Sequence, residues 1–320
     1  MARYARNQVL LAKIETSYGT DSTPTAASNA MLVSNLTVNP LVAQNVNRDL
    51  VRTYMGGSEA LVGPAYVECS FTVELQSSGT AGTAPAWDPL LRACGMTVST
   101  GTTPGRVEYL PVSSSFESVS IYYHDDGLKH VVTGARGSFE LSAKVGERPT
   151  LAFRLLGIDG GVSTATNPTG TYSTWKVPQV VTDANTADLV MGGTYTTGTI
   201  TGGTTYVSGG LELSLGASAQ FIPLVGQEAV DITNREATGK VMVDLTAAQE
   251  ATFSTSVKAN TLSSVGIIHG TAAGSKVLVY TPQAQLINWR KEDVNGRRLI
   301  GYDLRLVPSS GNDELRIVAL

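Results

Sequence analysis

The sequence predicts a mainly β chain, organised as two tandem β domains that each carry one α-helix. Three observations carry this. Apolar and polar residues alternate with period two through most segments, placing successive side chains on opposite faces of strands. Gly (33) outnumbers Pro (13), with Thr, Val and Ser abundant, a composition of sheets and turns. The same order of elements also occurs twice with little residue identity, the mark of an internal repeat.

The first domain spans residues 1–160, opening with an N-terminal arm, 1–30. Its apolar run at residues 9–12 is cut by Lys13 and Glu15, too soon for a signal-peptide core. No stretch has the length to span a bilayer, so no membrane insertion is expected. In "YVECSFTVEL", Val67, Cys69, Phe71, Val73 and Leu75 share one face, and Glu68, Ser70, Thr72 and Glu74 the other. The stretch "GTAGTAPAWDPLLRACG" then reads as a short helix over residues 84–93, with Pro85 early, Leu90 and Leu91 packed on the sheet, and Gly95 closing it. "GSFELSAKV" alternates Phe139, Leu141, Ala143 and Val145 with Ser138, Glu140, Ser142 and Lys144. With "TLAFRLLG" it predicts a hairpin.

Residues 161–185 are rich in Gly, Thr, Asn and Pro and read as a linker to the second domain, 186–320. There "VMVDLTAAQ" answers "FTVELQSSG", and the following "TAAQEATFSTSVKA" is again helical, with Thr246 as its cap and Glu250 in its first turn. "QAQLINWRKEDVNGRRLIGYDLRLVP" answers the first hairpin. Each domain also holds a segment too apolar for an ordinary loop, residues 40–65 and 221–239. Leu50, Val51, Tyr54, Met55, Leu61 and Val62 in the first, and Phe221, Ile222 and Leu224 in the second, need shelter. A neighbouring subunit would supply it; the alternative is a strand pair within the chain.

Chemistry is sparse. "YYHDDGLKH" crowds His124, Asp125, Asp126 and His130, but Asp126-Gly127 between two apolar runs is a hairpin turn, which accounts for the acids without a metal. "GTAAGSK" lacks the P-loop spacing, His269 stands alone before a glycine in what reads as a surface turn, and no nucleophile elbow or HExxH occurs. No enzyme activity and no cofactor are expected. Cys69 and Cys94 read as reduced, buried thiols. A net charge of -4 offers no broad basic surface for gripping phosphates. Aromatics are only 7%, with Trp87, Trp175 and Trp289 dispersed, which disfavours a secreted carbohydrate-binding β protein.

Taken together, "LLAKIETSYGTD", "GTAGTAPAWDPLLRACG", "YYHDDGLKHVVTGARGSFEL", "PQVVTDANTADL", "VDITNREATG", "IIHGTAAGSKV" and "SSGNDEL" resemble the major tail tube proteins of long-tailed bacteriophages over nearly the whole chain. The resemblance implies that the two tandem domains are β-barrels or β-sandwiches, each with a flanking α-helix, in a structural protein of the virion tail, assembled in the host cytoplasm, whose stacked rings surround a channel for DNA. It implies a trimer of two-domain chains with pseudo-sixfold symmetry, or a true hexamer if the repeat is false. A tape measure protein and a tail terminator would be its partners, and DNA would pass non-specifically. The two apolar segments become candidate ring-to-ring contacts. Glu68, Ser70, Thr72 and Glu74, with Ser138, Glu140, Ser142 and Lys144, become candidates for the lumen face, although either strand set could face outward. A tail terminator or head-to-tail adaptor ring is the alternative within the virion.

Overall fold

The computed structural model describes residues 3–320, and most of them are strand. β1 (Gln8–Ile14) and β2 (Ala30–Met31) lead into a long hairpin of β3 (Ser34–Asn47) and β4 (Ala60–Glu74). Helix α1 (Asp88–Ala93) follows, then β5 (Met96–Thr102), β6 (Gly105–Pro111), β7 (Val119–Asp125), β8 (Leu128–Lys144) and β9 (Thr150–Thr164). The second half begins with β10 (Leu189–Met191), the small hairpin β11 (Thr194–Thr196) and β12 (Thr199–Thr201), and β13 (Thr204–Tyr206). It continues through β14 (Ser208–Ser214), β15 (Ala217–Leu224), β16 (Gln227–Arg235) and β17 (Thr238–Val243) to α2 (Ala247–Lys258). β18 (Leu262–His269), β19 (Val277–Val294), β20 (Arg297–Leu306) and β21 (Arg316–Ala319) complete it.

Pairing runs β1-β7-β8-β9-β4-β3 in the first half and β10-β18-β19-β20-β17-β14 in the second, the same order in each, with β2 on β1 matched by β13 on β10. The halves are joined because β8 also pairs with β14, Leu141 opposite Leu213. One antiparallel run of eight strands results: β3-β4-β9-β8-β14-β17-β20-β19. β19 pairs with β18 at one end and with β20 at the other, and β8 pairs with β7 at one end and with β14 at the other while β9 follows it along its length, so both strands pass between the layers of a sandwich. The sheet does not close into a barrel.

The alternation decides which face is dry. Cys69, Phe71 and Val73 are buried, as are Phe139, Leu141, Leu151 and Phe153, and Phe71, Phe139 and Phe153 stack in a row. Leu211, Leu213, Val241, Tyr302 and Leu304 extend the same face into the second half, and one apolar cluster runs from Leu10 to Ala319. Burying each such large side chain stabilises the fold by roughly 1.5–3 kcal/mol before entropy is counted.

Helix α1 begins at Asp88, later than the expected residue 84. Pro89 is the proline in its first turn, Trp87 precedes it, and Pro85 lies outside. Leu90 and Leu91 are fully buried as expected, and the Trp87 indole donates to the Gln76 carbonyl at 2.8 Å. In α2, Thr246 accepts from the Gln249 amide, and the Gln249 side chain accepts from the Thr246 amide, closing a capping box. Unlike α1, α2 buries no residue completely.

Several expectations need correction. The apolar segments 40–65 and 221–239 are largely strand: the outer parts of β3 and β4 form one arm, and β15 and β16 form another as a separate two-stranded sheet. The strand-pair alternative therefore accounts for the second segment and for both flanks of the first, while residues 48–59, with Leu50, Val51, Tyr54 and Met55, form the irregular connection between β3 and β4. β9 continues as far as Thr164, so the first residues of the expected linker, 161–164, belong to a strand. His269 is no surface residue. It is buried at the end of β18, within 2.8 Å of the Thr186 hydroxyl and 3.1 Å of the Gln179 carbonyl, which pins the preceding connection to the sheet.

Candidate functional site

The Asp126-Gly127 pair does form the turn between β7 and β8, with φ of 41° and 99°, the positive values a tight hairpin turn requires. Asp126 accepts from the Tyr4 amide and the Asn7 side chain, each at 2.5 Å, so the acids fasten the N-terminal segment. Those hydrogen bonds hold the Asp126 carboxyl below the usual carboxylate range. His124 is buried, which lowers its basicity. Among the described residues, no group of three His, Cys, Asp or Glu has metal-holding geometry. Cys69 and Cys94 are both buried and unpaired, and burial pushes the Cys69 thiol up to about 12, well away from reactive thiolate.

What remains is a surface. Glu68, Ser70, Thr72 and Glu74 on β4 and Ser138, Glu140, Ser142 and Lys144 on β8 were two separate sets in sequence. The sheet brings them together, because β9 pairs with both strands and cross-strand partners project to one side: Ser70, Arg154 and Ser138 form one row. Another row crosses the junction between halves as Ser142, Glu212, Lys240 and Asp303.

Charges on this face are largely paired. Arg154 meets Glu68 at 2.5 Å, Arg148 meets Glu74 at 2.9 Å, and Lys144 meets Glu212 at 2.8 Å across the junction. Arg290 meets both Asp303 at 2.7 Å and Glu292 at 2.8 Å. Asn288 and Arg290 hold the Asp303 carboxyl below its ordinary range. Composition reported only the overall charge balance; the pairing depends on register.

The arms carry the other candidates. Val51 and Met55 are fully exposed at the tip of the first arm, with Leu50, Tyr54, Leu61 and Val62 also exposed; Arg48 and Arg52 pair with Glu59 beneath them. In the second arm Leu224 is exposed, Ile222 is half-buried, and Phe221 turns inward against Tyr66 of the first arm, ring centroids 5.3 Å apart. Sequence reasoning missed Arg136 on β8. Its guanidinium donates to the Phe116, Glu117 and Val230 carbonyls and to Asp231, and lies 4.3 Å over the Tyr18 ring, so it holds β16 of the second arm against the first half. An arginine in an alternating strand gives no signal that two of its partners, Val230 and Asp231, lie 94 and 95 residues away.

An antiparallel sheet shared by two halves, with an ion-paired face, an open strand edge at each end among the described residues and apolar arms, belongs to a structural β protein. The chain is a member of the phage tail tube protein family, whose model matches residues 5–307. No curated protein matches it. As a member of that family it is a structural protein of the virion tail, and among the described residues no helix is long and apolar enough to cross a membrane.

Proposed function

We propose that this chain assembles in the host cytoplasm into stacked rings whose joined sheets form the wall of the tail tube, through which DNA leaves the virion. The observation that carries this reading is the eight-stranded run with β3 and β19 as its ends. An unpaired edge is a template for another strand, and a ring satisfies both edges at once. With the halves as two copies of one domain, three chains make a pseudo-sixfold ring. Glu68, Ser70, Thr72, Glu74, Ser138, Glu140, Ser142 and Lys144 face the lumen, and Leu50, Val51, Tyr54, Met55, Leu61, Val62, Ile222 and Leu224 meet the adjoining ring. Phe221 contributes from behind, by bracing the second arm on the first.

The paired charges suit passage of DNA. A phosphate that displaces a carboxylate from Arg154 or Arg290 gains little, so the counterion release that drives tight binding is small. The tape measure protein would occupy the lumen before DNA, and a terminator would cap the last ring. Negative-stain microscopy of the purified protein tests the reading: long tubes are expected. Single rings that never elongate would identify a terminator or adaptor instead, and a protein that stays monomeric under all conditions would refute it.

A further inference from the structure

The junction between the two halves indicates how a second copy attaches. Because the strand order is shared, β9 corresponds to β20 and β4 to β17, and the pair Phe71 with Phe153 corresponds to Val241 with Tyr302. Glu140 opposite Ala152 then corresponds to Arg290 opposite Gly301, and Leu213 opposite Gly239 to Val38 opposite Cys69. A second feature fixes the same alignment. The register of β14 on β17 breaks between Ser208 and Leu211, and that of β3 on β4 between Ser34 and Thr37. Each break holds a residue with positive φ, Gly210 at 108° and Asn35 at 53°. Residues 140–144 of β8 pair with β14, whereas among the described residues the corresponding 290–294 of β19 pair only with β20, and β3 pairs only with β4.

We propose that β19 of one copy pairs antiparallel with β3 of a second copy in the register of the internal β8–β14 junction: Lys291 opposite Val38, Glu292 opposite Thr37, and Asp293 opposite Leu36. This rests on the ring reading above and adds the strands and the register. Direction agrees, because β3 and β19 end an antiparallel run of eight and so point opposite ways. Burial agrees too. Phe139, on the internal junction strand, is 1% exposed, and Trp289, in the register break of β19 that immediately precedes Arg290, is 39% exposed, an aromatic beside the open edge without the cover that the second half gives Phe139. At the internal junction the Leu215 amide donates to the Phe139 carbonyl at 3.2 Å. Its counterpart is Pro40, which has no N–H, so the ladder between copies ends at Asn39.

The same bond shows which backbone groups face the junction. Leu213 shares the orientation of Leu215, so the N–H of Val38 points to the open edge, away from β4. Thr37 and Glu292 then form a non-hydrogen-bonded pair, the kind with the closest side chains and a separation a disulfide can span. The test is the full chain carrying Thr37→Cys and Glu292→Cys, oxidised after assembly and followed by electrophoresis without reductant and by microscopy. Covalent multimers are expected. A control with Asn39→Cys and Val294→Cys, four pairs out of register, should give few. If the double variant does not fold, an equimolar mixture of the two single variants carries the same test. Val38→Pro should keep the wild-type circular dichroism and lose the rings. Rings without cross-links, equal cross-linking by the control, or normal rings from folded Val38→Pro would overturn the register while leaving the tube function standing. A wild-type protein that forms no rings would overturn both.

Discussion

Replacing Arg136 by Ala tests whether one buried guanidinium clamps the second arm to the first half. The side chain is 10% exposed and donates at 2.7 Å to the Phe116 carbonyl, 3.2 Å to that of Glu117, 3.0 Å to that of Val230 and 2.7 Å to Asp231. Truncation takes this donor from three carbonyls. A hydrogen bond from a charged group contributes about 1.5–3 kcal/mol, and a desolvated stack on an aromatic ring up to about 2 kcal/mol. Asp231 is half exposed, so its ion pair adds little. These contributions form one network and do not simply add, which places the expected loss at about 4 kcal/mol. That is a large share of the ~5–15 kcal/mol typical of a folded domain. Urea unfolding should show a lower midpoint with an unchanged slope. Arg136→Lys should recover only part of the loss, since one ammonium cannot reproduce the planar fork that reaches Phe116 and Val230 together. A loss below about 1 kcal/mol for Arg136→Ala would refute the clamp.

Leu91→Ala, at a fully buried position of α1, should cost about 2–5 kcal/mol by denaturant titration; a change near zero would mean that the helix is not packed as described. Burial lowers the pKa of His269 below 6.5, so the folded state favours the neutral ring. Unfolded chains then bind the extra proton first, and stability present above about pH 6.5 is lost as pH falls. His269→Gln should flatten the thermal midpoint between about pH 7 and 5 without abolishing its slope, because His124 is shifted the same way; an identical slope would remove His269 from the account. Deleting residues 52–63, the tip of the first arm, should leave a folded protein that forms no tubes by microscopy, and normal tubes would show that the tip is not a ring-to-ring contact.

Local pattern and tertiary contact contributed differently to what can be read here. Alternation in "YVECSFTVEL" and "GSFELSAKV", the Asp126-Gly127 turn and the Thr246 cap each depend on residues within a few positions of one another, so they were legible. The arms were harder. Their strands have solvent on both sides over much of their length, so Leu41, Val42 and Ala43 need not alternate with polar residues. His269 looked like a turn residue because the Thr186 and Gln179 partners that bury it are 83 and 90 positions away.

By itself the sequence determined the β class, the places of both helices, the matching element order of the two halves and the two faces of the alternating core strands, since each follows from neighbouring side chains competing for water or core. Only the tertiary structure decided that β8 joins β14, that the polar residues of β4 and β8 share one ion-paired face, and that β3 and β19 are left as ends. Strand pairing is made by backbone groups that every residue carries, so distant partners leave no mark in residue type; their choice is made when the apolar faces pack together.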